Sequence, residues 1–178
     1  MQRSEVEHVL RAAAAIAQEQ SFVVVGSQAL LFLLPNAPDA LLVSRELDLY
    51  PALSPEKSDL IDGAIGALSS FDTTFRYPAD GVGPETAVMP PDWMQRATLH
   101  YVGELTVICA DLHDLALSKC VAAREKDATF VRELIRHSLV SAALLKARAD
   151  MLDAAQHLVA KILAWIDRRA LEARTDTP

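Results

Sequence analysis

The chain predicts an α+β protein, a mixed and twisted sheet with helices followed by a helical C-terminal part. Three observations predict it. The run Ser21-Phe22-Val23-Val24-Val25 is a buried strand that breaks at Gly26-Ser27 into a helix. The run Glu46-Leu47-Asp48-Leu49-Tyr50 alternates acidic and apolar residues with the two-residue period of a strand. From Asp111 onward the apolar residues recur every three or four positions, the spacing of a helix face.

The elements follow in order. Residues 5–19 place Val6, Val9, Leu10, Ala13, Ile16 and Ala17 at helical spacing. After the strand at 21–25, residues 27–34 predict a short apolar helix stopped before Pro35, and residues 36–40, with Pro38 and Asp39, predict a loop. Residues 43–50 predict the second strand, closed by Pro51. Residues 55–69 predict a helix with Leu60, Ile61, Ile65 and Leu68 on its inner face and Ser54 as N-cap. Residues 71–92 are rich in Pro, Gly, Asp and Thr and predict loops holding one or two short strands. Residues 97–102 and 105–109 are β-type runs joined by Gly103-Glu104, a hairpin signal. Helices are predicted from Asp111, over 126–137, over 141–148 and over 150–174, the last with an apolar face of Leu152, Ala155, Val159, Ile162, Leu163 and Ile166. The expected organisation is an α/β core over 1–110 and a helical region over 111–178 that packs on the core and completes the site. Trp93 and Trp165 are expected to be packing anchors.

Composition bounds the function. The net charge of −7 hides an asymmetry: residues 1–118 hold 6 Lys/Arg against 16 Asp/Glu, a balance of −10, and residues 119–178 hold 11 against 8, a balance of +3. A protein that grips nucleic acid mainly by neutralising phosphates is usually basic overall, so any RNA or nucleotide contact is expected from the C-terminal half. The longest apolar run, 22–34, is broken by Gly26, Ser27 and Gln28, which excludes a spanning helix there. The opening residues Gln2, Arg3, Ser4, Glu5 and Glu7 do not form a secretory signal. Cys109 and Cys120 show no metal-ligand spacing and are expected to be inert core thiols. A cytoplasmic protein with no membrane partner is the expectation.

The chemistry concentrates in two places. Side chains two apart on a strand share a face, so Glu46 and Asp48 are expected to project together while Leu47 and Leu49 face the core. Two neighbouring carboxylates favour a cation between them, and oxygen ligands suit Mg²⁺ or Mn²⁺. Strands disfavour Asp and Glu, which makes the pair unusual. Gly26-Ser27, opening a helix just upstream, can offer backbone N–H groups and a hydroxyl to a phosphate. The second place is Asp111 to Asp127. Lys119 lies one helical turn beyond Leu115, where a lysine either snorkels or reaches an anion. Asp127 either caps the next helix or completes the site. His113 reads as a cap or surface residue, and no Ser/His/Asp or Cys/His set is supported.

On Val25-Gly26-Ser27, Glu46-Leu47-Asp48-Leu49-Tyr50-Pro51, Trp93-Met94-Gln95-Arg96, Asp114-Leu115-Ala116-Leu117-Ser118-Lys119 and Ala123-Arg124-Glu125-Lys126-Asp127, the chain resembles the DUF6036-type and AbiEii/MenT-type nucleotidyltransferases related to bacterial toxin–antitoxin systems. These belong to the polymerase-β superfamily, and the resemblance covers roughly residues 20–137. It implies the polymerase-β-type nucleotidyltransferase fold and Mg²⁺-dependent transfer of a nucleoside monophosphate from an NTP to an acceptor, with tRNA 3′ ends the acceptor in many of the toxins and a cognate antitoxin as partner. Carried over, Gly26, Ser27 and Arg124 bind the nucleotide, Glu46 and Asp48 bind the metal, Lys119 contacts the phosphates, and Asp127 is a further catalytic acid beside Asp48. The chain departs from the pattern twice. Glu46 stands where the commonest pair begins with Asp, and a third superfamily carboxylate on a later strand is not evident: residues 105–109 carry none, and Glu104 lies in the predicted turn. Two rival readings follow: a catalytically degenerate nucleotidyltransferase fold acting as a binding or regulatory module, and a helical partner-binding scaffold with no nucleotide.

Overall fold

Five short strands make one sheet in a computed structural model that describes residues 1–175. They are β1 (Ser21–Val24), β2 (Leu47–Pro51), β3 (Ala79–Gly81), β4 (Thr98–Val102) and β5 (Leu105–Cys109), in the order β3-β2-β1-β5-β4. β1 pairs antiparallel with β2, with Val24 opposite Leu49, and parallel with β5, with Val24 opposite Cys109. β2 runs parallel to β3, and β4 and β5 form the antiparallel hairpin expected around Gly103-Glu104. The sheet is therefore mixed, in an α+β fold.

The chain divides into two compact units. The α/β unit comprises residues 1–86 and 97–110, and the helical unit residues 87–96 and 111 onward. In the α/β unit, α1 (Arg3–Ala17) buries Val6, Val9, Leu10, Ala13 and Ala17 of the stripe its periodicity predicts, with Ile16 half-buried at its edge. It packs against α3 (Ser58–Ile65) and also meets β2 and β5. Gly81 fixes which face of the sheet this layer covers. A Cβ on Gly81 would stand 2.2 Å from the Ser58 carbonyl of α3, so α3 crosses the sheet on the Gly81 face. Gly81 is in register with Leu49, which places Leu49 and, two residues before it, Leu47 beneath the same helix layer. Both leucines are fully buried. Asp48 and Asp80, partners in that register, belong to the opposite face.

Local chemistry moves several boundaries from those expected. The second strand begins at Leu47, not at 43, because the Ser44 hydroxyl engages the Glu46 backbone N–H at 3.4 Å and competes with ladder pairing. The helix after Gly26 is a 3₁₀ turn over Ser27–Ala29 followed by one α-turn, α2 (Leu30–Leu33). α3 stops at Ile65, and the chain turns through Leu68 at a φ of 66°. Leu60 and Leu68, expected inside, are exposed, and only Ile61 and Ile65 of that set are buried. A further helix, α4 (Ser70–Phe75), is capped by Ser69, whose hydroxyl accepts from the Asp72 N–H.

The helical unit contains α5 (Leu112–Ala122), α6 (Glu125–Arg136), α7 (Ala142–Ala149) and α8 (Gln156–Thr175). α5 packs against α6 and α7, and α8 against α6 and α7. Leu115, Leu117, Val131, Leu134, Leu145 and Ile166 fill the space between them. α5 begins where expected, with the Asp111 carboxylate accepting from the His113 N–H, and Ser141 caps α7 by accepting from Leu144. α8 starts six residues later than its apolar spacing suggested. Both tryptophans are half-buried, and Arg169 lies over the Trp165 ring at 5.0 Å. Burial pushes the Cys109 and Cys120 thiols up to about 12, which makes them poor nucleophiles. Among the described residues no helix is long and apolar enough to cross a membrane.

The Gly81–α3 contact sets a stability prediction. Gly81→Ala should cost about 1–3 kcal/mol through overpacking against helix backbone, whereas Gly63→Ala in α3, with open space around it, should stabilise by about 0.5–1 kcal/mol. Chemical denaturation of the two variants checks the difference in sign.

Candidate active site

Asp48 is held by the pairing on both sides of β2. The Val25 N–H donates to its carbonyl at 3.1 Å, and Leu49 pairs with Val24. The chain leaves β1 at this point and turns through Gly26, whose backbone is extended at φ −79°. A Cβ on Gly26 would stand 2.0 Å from the Asp48 Oδ2 and 2.5 Å from its Cγ. Only hydrogen fits there. The Gly-Ser turn and the acidic strand, separate in sequence, thus meet at the Asp48 carboxylate. Ser27 follows, half-buried, at the start of the 3₁₀ turn. With α2 only four residues long, any anion contact at this turn draws on local N–H groups more than on a helix macrodipole.

On its other side Asp48 faces Asp80. The two are Cα partners on parallel strands, about 4.8 Å apart by ordinary strand spacing, with side chains on one face. Asp80 is the acid that sequence reasoning missed. Its strand is three residues long, too short to show alternation, and Ala-Asp-Gly after Pro78 reads as a turn. Glu46 sits in a bend one residue before β2, so the ladder does not set its direction as it sets that of Asp48. Among the described residues no group of three or more His, Cys, Asp or Glu side chains is arranged to hold a metal. Mg²⁺ does not need one: it is commonly held by one or two carboxylates with water and substrate phosphates completing six-fold coordination. The Asp48–Asp80 pair fits that requirement.

In the helical unit, Lys119 lies in the last turn of α5, where its carbonyl accepts from the Ala123 N–H. Asp127 is buried and caps α6: its Oδ2 accepts from the Arg124 N–H at 3.2 Å and from Arg124 Nε at 2.7 Å, and its Oδ1 from Arg124 Nη2 at 3.3 Å. Arg124 and Asp127 are therefore brought together as a pair, with the capping role that the sequence left open for Asp127.

A second network in this unit was not foreseen. Arg96 Nε donates to Asp114 Oδ2 at 2.8 Å, and its Nη1 and Nη2 grip both oxygens of Asp92 at 2.5 and 2.9 Å. Arg148 Nη1 lies 3.1 Å from Asp114 Oδ1 and also bonds Asp111. Asp114 is completely buried between the two guanidiniums. Hydrogen bonds to Asp92 and Asp114 raise the Arg96 pKa further. The Asp111 carboxyl is pushed up by burial, but hydrogen bonds from His113 and Arg148 outweigh this and hold it well below the usual carboxylate range. The signal available in the sequence was the charge sign: Asp92, Arg96, Asp114 and Arg148 all stand in otherwise apolar or short elements.

Residues 4–172 match the model of a family described as nucleotidyltransferase of unknown function, DUF6036. The chain belongs to the DUF6036 family. No curated protein and no solved structure matches the sequence. The family label carries the general kind of reaction, transfer of a nucleotidyl group. Within this DUF6036 member, the acids Asp48 and Asp80 against the Gly26 turn are the part of the α/β unit suited to such chemistry.

Two stability outcomes follow for the Arg–Asp network. Asp114→Ala should destabilise by about 3–5 kcal/mol, since it leaves Arg96 and Arg148 without their buried shared acceptor; thermal or urea unfolding measures it. The Asp111 pKa is lower folded than unfolded, where about 3.9 is normal. Its stabilisation is therefore complete above that pH and is lost as pH falls below it. Asp111→Asn should flatten the acid limb of the stability–pH curve.

Proposed function

We propose that this protein is a Mg²⁺- or Mn²⁺-dependent nucleotidyltransferase of the polymerase-β type, moving a nucleoside monophosphate from an NTP to a hydroxyl acceptor, in the manner of the AbiEii/MenT-like toxins. The observation that carries the reading is the packing of the Gly26 backbone onto the Asp48 carboxylate, with Asp80 in register beside it. Asp80 supplies the later-strand acid that β5 lacks, and its presence weighs against the degenerate-module reading. In this proposal Asp48 holds the cation with Asp80 or Glu46 as the second carboxylate, and Gly26 and Ser27 line the triphosphate.

The reaction joins the acceptor oxygen to the α-phosphorus and breaks the bond from that phosphorus to the oxygen bridging to the β-phosphate, releasing pyrophosphate. The acceptor proton passes to a carboxylate or to water. A divalent cation supplies charge neutralisation for the leaving pyrophosphate. The protein's own task is orientation: the rigid ladder holds Asp48 and Asp80 at fixed spacing, so little reorganisation accompanies the charge shift. The roles expected for Lys119 at the phosphates, Arg124 at the nucleotide and Asp127 as a further acid remain part of the proposal. So do a tRNA 3′ end as acceptor and a cognate antitoxin as partner.

Incubation of the purified chain with Mg²⁺, each labelled NTP in turn and total tRNA tests the reading. Label should enter RNA with at least one NTP, and Asp48→Ala and Asp80→Asn should each lower the rate at least a hundredfold without loss of the folded state by circular dichroism. Lys119→Ala should lower it as well. Mg²⁺-dependent NTP binding with no incorporation into RNA or protein would instead support the binding-module reading.

A further inference from the structure

We propose that Gln28 is a positioning residue for the acidic strand, acting through Ser44 on Glu46 and thereby setting the affinity of the site for a divalent cation; the inference rests on the metal-site reading above. Gln28 lies in the same turn as Gly26 and is completely inaccessible to solvent. Its Nε2 donates to the Ser44 carbonyl at 2.8 Å, a bond between residues 16 apart in the chain. Ser44 in turn brackets Glu46, with its Oγ 3.4 Å from the Glu46 nitrogen and 3.3 Å from the Glu46 carbonyl oxygen. The Met1 amino group, just ahead of α1, donates to the same Ser44 carbonyl at 3.1 Å.

The need for such a device comes from the strand boundary. β2 begins at Leu47, so the ladder that aims Asp48 does not reach Glu46. What fixes Glu46 is the Ser44 bend, and what ties that bend to the Gly26 turn is the Gln28 amide. One turn thus addresses both acids, Asp48 by backbone contact at Gly26 and Glu46 by hydrogen bond at Gln28.

The other half of the amide argues against a packing role. Gln28 Oε1 is buried with no hydrogen-bond partner. A buried acceptor left unsatisfied is costly, and a methionine of the same length would fill the space without that cost. The amide is explained by the bond its nitrogen makes.

The test uses the full-length chain and Mn²⁺ alone, without nucleotide, titrated by electron paramagnetic resonance of the free ion. Gln28→Met should unfold at or above the wild-type temperature when metal-free, yet bind Mn²⁺ about tenfold more weakly, the usual range for a residue that orients a ligand rather than supplying one. Because the effect runs through Glu46, the double variant Gln28→Met/Glu46→Gln should bind no more weakly than Glu46→Gln alone. Ser44→Ala, which leaves the Gln28 acceptor in place and removes only the bracket, should also weaken Mn²⁺ binding with unchanged unfolding, and it decides the matter where Gln28→Met fails to fold. Wild-type affinity in the Gln28→Met or Ser44→Ala variants, or losses that add in the double variant, would overturn the positioning role alone. Absence of Mn²⁺ binding by the wild-type chain would overturn the metal reading itself.

Discussion

The contact between the Gly26 backbone and the Asp48 carboxylate leaves room for a hydrogen atom and nothing larger. It depends on the β1–β2 register, with Val24 opposite Leu49 and the Val25 N–H on the Asp48 carbonyl. A slip of one residue would turn Asp48 toward α3 and the buried core and send Leu47 and Leu49 to the other face. The burial of those two leucines therefore does more than fill the core. It holds the acid on the face opposite α3, against the turn, by making the alternative arrangement unfavourable.

A second close approach works from beneath. Gly81 admits the backbone of α3 to the sheet, and the packing of α3 on α1 anchors that helix in turn. β3 is too short to be stable by its own three pairs, so the contact with α3 gives it its place beside β2. Asp80 inherits its position from this arrangement. Two glycines, Gly81 in β3 and Gly26 in the turn after β1, thus bring helix and turn backbone close to two neighbouring acidic residues.

The sequence made the larger elements legible where periodicity was long: α1, the β4–β5 hairpin and α5 with its Asp111 cap lie where the pattern puts them. It failed where a side chain competed with the backbone or where an element was too short to carry a period. Ser44 shortened β2 and took Glu46 out of the strand. The helix over 55–69 was overextended because Leu60 and Leu68 fit an apolar face that the chain abandons at Gly66. Asp80 was hidden by the brevity of β3. Gln28 and the Arg96–Asp114 pair were hidden for a different reason: a buried polar residue looks like a surface one until its partner is known, and both partners lie far along the chain.

In the helical unit several charged side chains are engaged with one another. The buried Asp114 is neutralised by Arg96 and Arg148, and Arg96 also holds the half-exposed Asp92. Asp127 spends three of its acceptor sites on the nitrogens of Arg124, leaving little capacity to serve a second purpose at the same time. Such groups are demanding because a charge buried without its partner is worse than no charge, so the members of the network must stand at these spacings whatever reaction the protein performs. Asp114 and Asp127 thus carry structural work in the assembly of the helices. In the α/β unit two acids share one face beside a turn whose backbone touches one of them, and that leads back to β2, β3 and Gly26.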